Sequence, residues 1–234
     1  MTPRATLLLL ALAAAPAAAR ADDAAPSAGA AAGESPAPPR ARAETWFSLG
    51  LLAGSMQADP RLADYQWDTS LRPAWGAQAL AGRGPLALGA RVWSAGTTQR
   101  IDLPGATASP RVGLTSVELV GMGRLATLGS GEVLLTGCIG GLHLAYDPDQ
   151  ITIPVPGPGI PIVAQFAPID AWTGGGGVAV RRAFGPRWSL GVGVEHEFFG
   201  LDAAHRSGAS IVYGRESLGD WSARVEVARQ FHRH

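Results

Sequence analysis

The residue types best suited to chemistry lie late in the chain, at His205-x-Ser207 with Glu216 downstream. A histidine that takes a serine's proton, itself oriented by a carboxylate, turns a hydroxyl into a nucleophile. The run Ala203-Ala-His-Arg-Ser-Gly208 also reads as a polar, exposed turn. An activated serine needs a fixed, water-restricted setting with oxyanion donors, so no catalysis is expected, and His205, Ser207 and Glu216 are the catalytic candidates. The remaining chemistry-bearing stretches reduce further. Gly174–Gly177 lacks the Lys-Ser/Thr and the following helix of a phosphate loop and reads as strand. Asp147, Asp149 and Asp170 match no calcium-loop spacing and read as solvated turn residues. His196 falls on the opposite strand face to Glu195 and Glu197, which suits a rim residue better than a metal ligand. Cys138 is the single cysteine, so no intrachain disulfide forms, and it reads as a small apolar strand residue. No metal and no cofactor are expected.

The elements that must position these residues are strands. After the turn Phe184-Gly-Pro-Arg187, Trp188, Leu190, Val192 and Val194 point one way, while Ser189, Gly191, Gly193, Glu195 and Glu197 point the other. Strand-like segments fall near 46–55, 71–81, 86–96, 112–125, 132–146, 171–183, 188–199 and 221–231. Such arms are long enough to cross a bilayer as tilted strands of about 9–11 residues. The connections alternate between long stretches and short turns such as Gly82-Arg-Gly-Pro85, Leu128-Gly-Ser-Gly131 and Phe184–Arg187. That alternation is the pattern of an up-and-down barrel with short periplasmic turns and long extracellular loops. The expected fold is all-β: an eight-stranded antiparallel transmembrane β-barrel.

Strand parity places Arg72, Arg91, Glu118, Arg124, Arg181, Glu195, Glu197, Arg224 and Glu226 on polar faces. A lipid-facing charge at mid-bilayer costs about 2–4 kcal/mol. These residues should therefore point inward and pair in a lumen that an eight-stranded barrel fills with side chains. Trp46, Trp75, Trp93, Tyr146, Trp172, Trp188 and Trp221 fall near strand ends, where aromatic girdles sit.

Ahead of the barrel, Met1–Ala21 reads as a signal peptide, with Arg4, an apolar core and Ala19-Arg20-Ala21 before Asp22. Residues 22–43 are Ala- and Pro-rich and read as a disordered linker, leaving 44–234 for the barrel. The formal net charge is zero and every basic residue is Arg; no basic stripe supports nucleic-acid binding. The loop 147–170 is unusually apolar, with Ile151, Ile153, Val155, Ile160, Ile162 and Val163 among six prolines. Exposed apolar patches mark contacts. This loop should form a rigid flap or edge ribbon that meets lipopolysaccharide, an extracellular ligand or a protein.

Gly174–Val180 followed by Gly185-Pro-Arg-Trp-Ser-Leu-Gly-Val-Gly-Val-Glu195 resembles the late hairpin of the small outer-membrane protein β-barrel-domain superfamily, which includes opacity-type and OmpX-like barrels. The resemblance implies an eight-stranded barrel in a Gram-negative outer membrane and no single activity. Such chains often end on an aromatic residue, whereas here Phe231 is followed by His232-Arg233-His234. His205-x-Ser207 and Glu216 are similar to the late His-x-Ser and Glu of lipid A deacylase barrels, except that Ser-Gly-Ala stands at 207–209 where that family tends to Ser-Asn-Ala. The expected role is structural or surface-interacting. The alternatives are a lipid A-modifying hydrolase and a narrow pore or apolar-ligand conduit.

Overall fold

The computed structural model describes residues 45–103, 106–153, 161–207 and 210–232. The signal peptide expected over 1–21 and the linker over 22–43 lie outside them. For residues 103, 106, 203–207, 210–213 and 232 the backbone alone is described. In chain order come β1 (Thr45–Gln57), a 3-10 helix η1 (Pro60–Tyr65), β2 (Arg72–Arg83), β3 (Leu86–Thr98), the short β4 (Ile101–Leu103) and β5 (Ala106–Ala108). They are followed by β6 (Arg111–Leu128), β7 (Gly131–Asp147), the short β8 (Gln150–Ile153) and β9 (Ile162–Gln165), β10 (Ile169–Ala183), β11 (Trp188–Ser207) and β12 (Ser210–His232).

The eight long strands close in the order β1-β12-β11-β10-β7-β6-β3-β2. All eight expected strands are present. The short turns at 84–85, 129–130 and 184–187 share one rim, the turn side, where Gly84 and Gly129 hold the positive φ that an L side chain resists. The connections 58–71, 99–110 and 148–168 share the other rim, the loop side. Of residues 200–220, expected as a loop, 200–207 and 210–220 are instead the continuation of β11 and β12, paired without interruption from Trp188↔Arg229 to Ser207↔Ser210. Unpaired backbone polar groups are costly, and a regular ladder satisfies them all. The apolar loop 147–170 carries the paired ribbon β8–β9, with Gln150 opposite Gln165 and Ile153 opposite Ile162. Pro148, Pro161 and Pro168 flank the ladder rather than interrupt it.

The outward face explains why the chain needs a bilayer. Leu51, Leu88, Val117, Leu119, Ile139, Val178, Val192 and Val225 all lie exposed on it. Outward charges gather at two levels. Arg111/Asp147, His143/Asp170 and Asp202/Arg215 oppose one another at the loop side, and Arg83, Arg182, Arg187 and Arg229 stand at the turn side. Between these levels the described outward positions carry no Asp, Glu, Lys or Arg. In water this belt would be a large exposed apolar patch; in a membrane it is the lipid-facing band.

The aromatic girdle is smaller than expected. Trp75, Trp172, Trp188 and Trp221 do point outward, and His196 joins them, its ring 4.3 Å from that of Phe198 and 4.5 Å from that of Trp221. Trp93 points inward and is buried, Tyr146 packs against the interior core, and Trp46 turns into the turn-side mouth. Strand ends alone do not tell inward from outward; parity does.

Candidate functional site

The interior is built in three layers. At the loop side Leu52, Met56, Trp93, Val112, Leu114, Leu144, Phe199 and Leu218 form an apolar core. The helix η1 caps it, with Leu62 1% exposed, and Trp67 lies buried beside it. Asp59 sets that cap. Its carboxylate accepts from the Arg61 backbone N–H at 2.9 Å and from Arg61 Nη2 at 2.6 Å. It also accepts from the Gly219 N–H at 2.9 Å, and Arg61 Nη2 donates to the Ser217 carbonyl at 2.7 Å. The Arg61 side chain holds the Asp59 carboxyl down to about 2, with the Arg61 and Gly219 N–H groups adding to it and burial opposing.

The middle layer is charged. Arg91, 1% exposed, donates from Nε to Glu118 at 2.7 Å, from Nη1 to Glu195 at 2.5 Å and from Nη2 to Glu197 at 3.0 Å. Arg224 grips both oxygens of Glu195 in a forked pair, and Thr136 Oγ1 donates to Glu195 Oε1 at 2.6 Å. Such forked pairs suit the planar guanidinium, which lysine cannot imitate. Gln78 donates to Glu226 at 2.5 Å.

The glycine run explains how long acidic side chains fit inside. Gly177 opposes Glu195, Gly175 opposes Glu197 and Gly140 opposes Glu118 in the register. A Cβ at Gly177, Gly175 or Gly140 would stand 2.5, 2.9 and 2.9 Å from the Cγ of its glutamate. Each glutamate therefore folds over a glycine on the neighbouring strand, where the missing Cβ permits the close approach.

Below this layer Leu80, Ala87, Val120, Met122 and Leu134 form a smaller apolar cluster. Beneath it opens a turn-side cavity of about 450 Å³ lined by Trp46, Arg124, Glu132, Arg181 and Gln230 among others. There Glu132 accepts from Arg124 and Arg181, both at 2.9 Å, and Arg181 lies over the Trp46 ring at 5.4 Å. All nine charges expected on the polar faces lie on the lumen side; Arg124 stands half-exposed at its mouth, beside a register shift between Arg124 and Ala126.

The catalytic candidates are placed by register. His205 opposes Val212, Ser207 opposes Ser210, and Glu216 opposes Leu201, four positions along the strand from His205. At about 3.3 Å per residue that separates the His205 and Glu216 backbones by roughly 13 Å. The described neighbours of Glu216 are Tyr65 and Arg61 of η1. Burial raises the Tyr65 phenol above its ordinary value, and a hydrogen bond to Glu216 adds to the rise. The side chains of His205 and Ser207 fall outside the description. Sequence reasoning missed Asp59, Gln78, Glu132 and Asp220. Asp59-Pro60 carried a signal, since an acidic cap before Pro opens a helix. Asp220 becomes inward once β12 is extended to Ser210, because it shares the parity of Ser222 and Arg224.

No protein-family model matches this chain, and no curated protein sequence does. Among solved structures, the chain is similar to Neisserial surface protein A at a TM-score of 0.49 and 11% identity, over 80% of this chain and 97% of that one. A major outer membrane protein from Thermus thermophilus gives 0.45 and 15%, over 80% and 99%. The outer membrane protein AlkL gives 0.41 and 13%, over 91% and 97%. The closed antiparallel topology, the uncharged apolar belt between two charged levels and the inward-facing charges together make this chain a small eight-stranded transmembrane β-barrel.

Proposed function

We propose that this barrel is a non-conducting structural and surface-interaction protein rather than a pore or an enzyme. The observation that carries the reading is the side-chain filling of the lumen above its turn-side cavity. An apolar core under η1, the Arg91 network and the Leu80–Met122 cluster follow one another along the axis. The two cavities that border the charged layer, one beside Glu197 and Asp220 and one beside Arg224 and Glu226, are about 10 Å³ each, no more than one water occupies. What the protein offers its surroundings is then its loop side. Ile162 and Val163 on the β8–β9 ribbon are 58% and 53% exposed. We assign to this ribbon contact with lipopolysaccharide or an apolar extracellular partner. Proteoliposomes carrying the purified barrel should resist swelling in small sugars as protein-free liposomes do; rapid swelling would refute the closed reading. The paired change Ile162→Ser with Val163→Ser should reduce co-sedimentation of the folded protein with lipopolysaccharide aggregates several-fold. Unchanged co-sedimentation would remove the ribbon from the account.

A further inference from the structure

The middle layer is short of positive charge. The buried guanidiniums of Arg91 and Arg224 face the buried carboxylates of Glu118, Glu195, Glu197 and Asp220, a formal excess of two negative charges in a sealed interior. Charges taken out of water are paired or coordinate metal ions. Glu195 is satisfied by both arginines and Thr136. Glu118 is not: Arg91 occupies its Oε2, whereas Oε1 is buried without a hydrogen-bond partner on a residue only 2% exposed. Around that carboxylate the donor atoms of Glu118, Cys138 and Glu197 all lie within 4.8 Å of one another. They come from β6, β7 and β11, and Gly140 and Gly175 clear the space for the two glutamates.

We propose that Glu118, Cys138 and Glu197 form a buried site for one thiophilic divalent cation of the zinc class. Such a cation takes thiolate sulfur at about 2.3 Å and carboxylate oxygen at about 2.0–2.2 Å. A contraction of roughly 1 Å among these donors therefore brings them to bonding distance. A calcium-class ion needs six or more oxygens, and a magnesium-class ion keeps its waters, so the thiol and the dry setting select the softer metal. On binding, the Cys138 S–H bond breaks, sulfur keeps the electron pair and bonds the metal, and the proton leaves to solvent. The cation brings two positive charges and the thiolate returns one negative charge, so the layer's formal excess falls from two negative charges to one, and the metal ties β6 and β7 to β11 across the lumen.

The test uses the full barrel refolded from urea into detergent micelles, with Co²⁺ or Zn²⁺ supplied either during refolding or afterwards. Each variant is first shown to fold by its shift on an unboiled gel. We expect one Co²⁺ per chain by elemental analysis, with a thiolate-to-cobalt charge-transfer band. Cys138→Ser should abolish the band, Glu118→Gln should weaken Co²⁺ binding at least tenfold, and Glu226→Gln, outside the cluster, should change neither. Zn²⁺ should raise the urea midpoint of the parent protein and not that of Cys138→Ser. Absence of the band under both loading schemes would overturn the proposal and leave protons to balance the carboxylates. Binding that survives both Cys138→Ser and Glu118→Gln would overturn it too, assigning the metal to an adventitious site such as the exposed His143–Asp170 pair.

Discussion

The two halves of the lumen are filled by different physics. The loop-side half is packed like the core of a soluble domain, Leu144 and Val112 at 0% exposure beneath the η1 cap. The middle is held by matched charges, with Arg91 serving three glutamates from three directions. An apolar core degrades gradually, because each lost methylene costs its own transfer and cavity terms. A buried charge network degrades abruptly, because one deletion leaves its partners unpaired. The barrel is therefore tolerant at one end and brittle at its waist.

Arg91→Met should expose that brittleness most. It leaves Glu118 and Glu197 without their guanidinium, and breaking such a pair costs about 3–5 kcal/mol. Urea titration of the refolded barrel in micelles should show the loss as a lower midpoint. An effect under about 1 kcal/mol would mean that the network is balanced by something other than Arg91. Leu144→Ala should come next, at about 2–5 kcal/mol for a buried leucine truncated in a packed core. The two changes lie in separate layers and should add. Arg91→Met with Glu195→Gln should not add, since both touch one network.

A milder change separates the cap from the core beneath it. The folded pKa of Asp59, about 2, lies below its ordinary 3.8. Its contribution to η1 docking is thus complete above about pH 4 and is lost as pH falls from there through about 2. Proteolysis of the 58–71 segment with an acid-active protease should rise over that window in the parent protein. Asp59→Asn should cleave readily at every pH, with the rest of the barrel intact.

How much of this was legible in the sequence follows from what fixes each feature. The eight strands, their alternation and the inward charges were readable because a period of two and the cost of charge in lipid act residue by residue. The glycine–glutamate pairing was not, because it depends on register between strands: Gly177 meets Glu195 only once β10 and β11 are aligned. The same blindness assigned residues 200–220 to a loop, whereas Trp93 went to the girdle on its place near a strand end, against its parity. Asp220 went unnoticed for the former reason. Cys138 looked inert alone, and gains two carboxylate neighbours only once β6, β7, β10 and β11 are set in register.

The smallest expected effect concerns the catalytic candidates. Ser207→Ala should leave the lipid A acylation pattern of expressing cells unchanged by mass spectrometry. Removal of an acyl chain by the parent protein, abolished in Ser207→Ala, would replace the structural reading with the hydrolase one.

The central claim is a lumen closed by packing at its loop side and by charge pairing at its middle. Planar-bilayer recording tests it most directly. The parent barrel should show little steady conductance, and Arg91→Met, with its unpaired glutamates drawing water inward, should show more frequent small openings than Leu144→Ala. Large, stable, porin-like steps from the parent barrel would contradict the account.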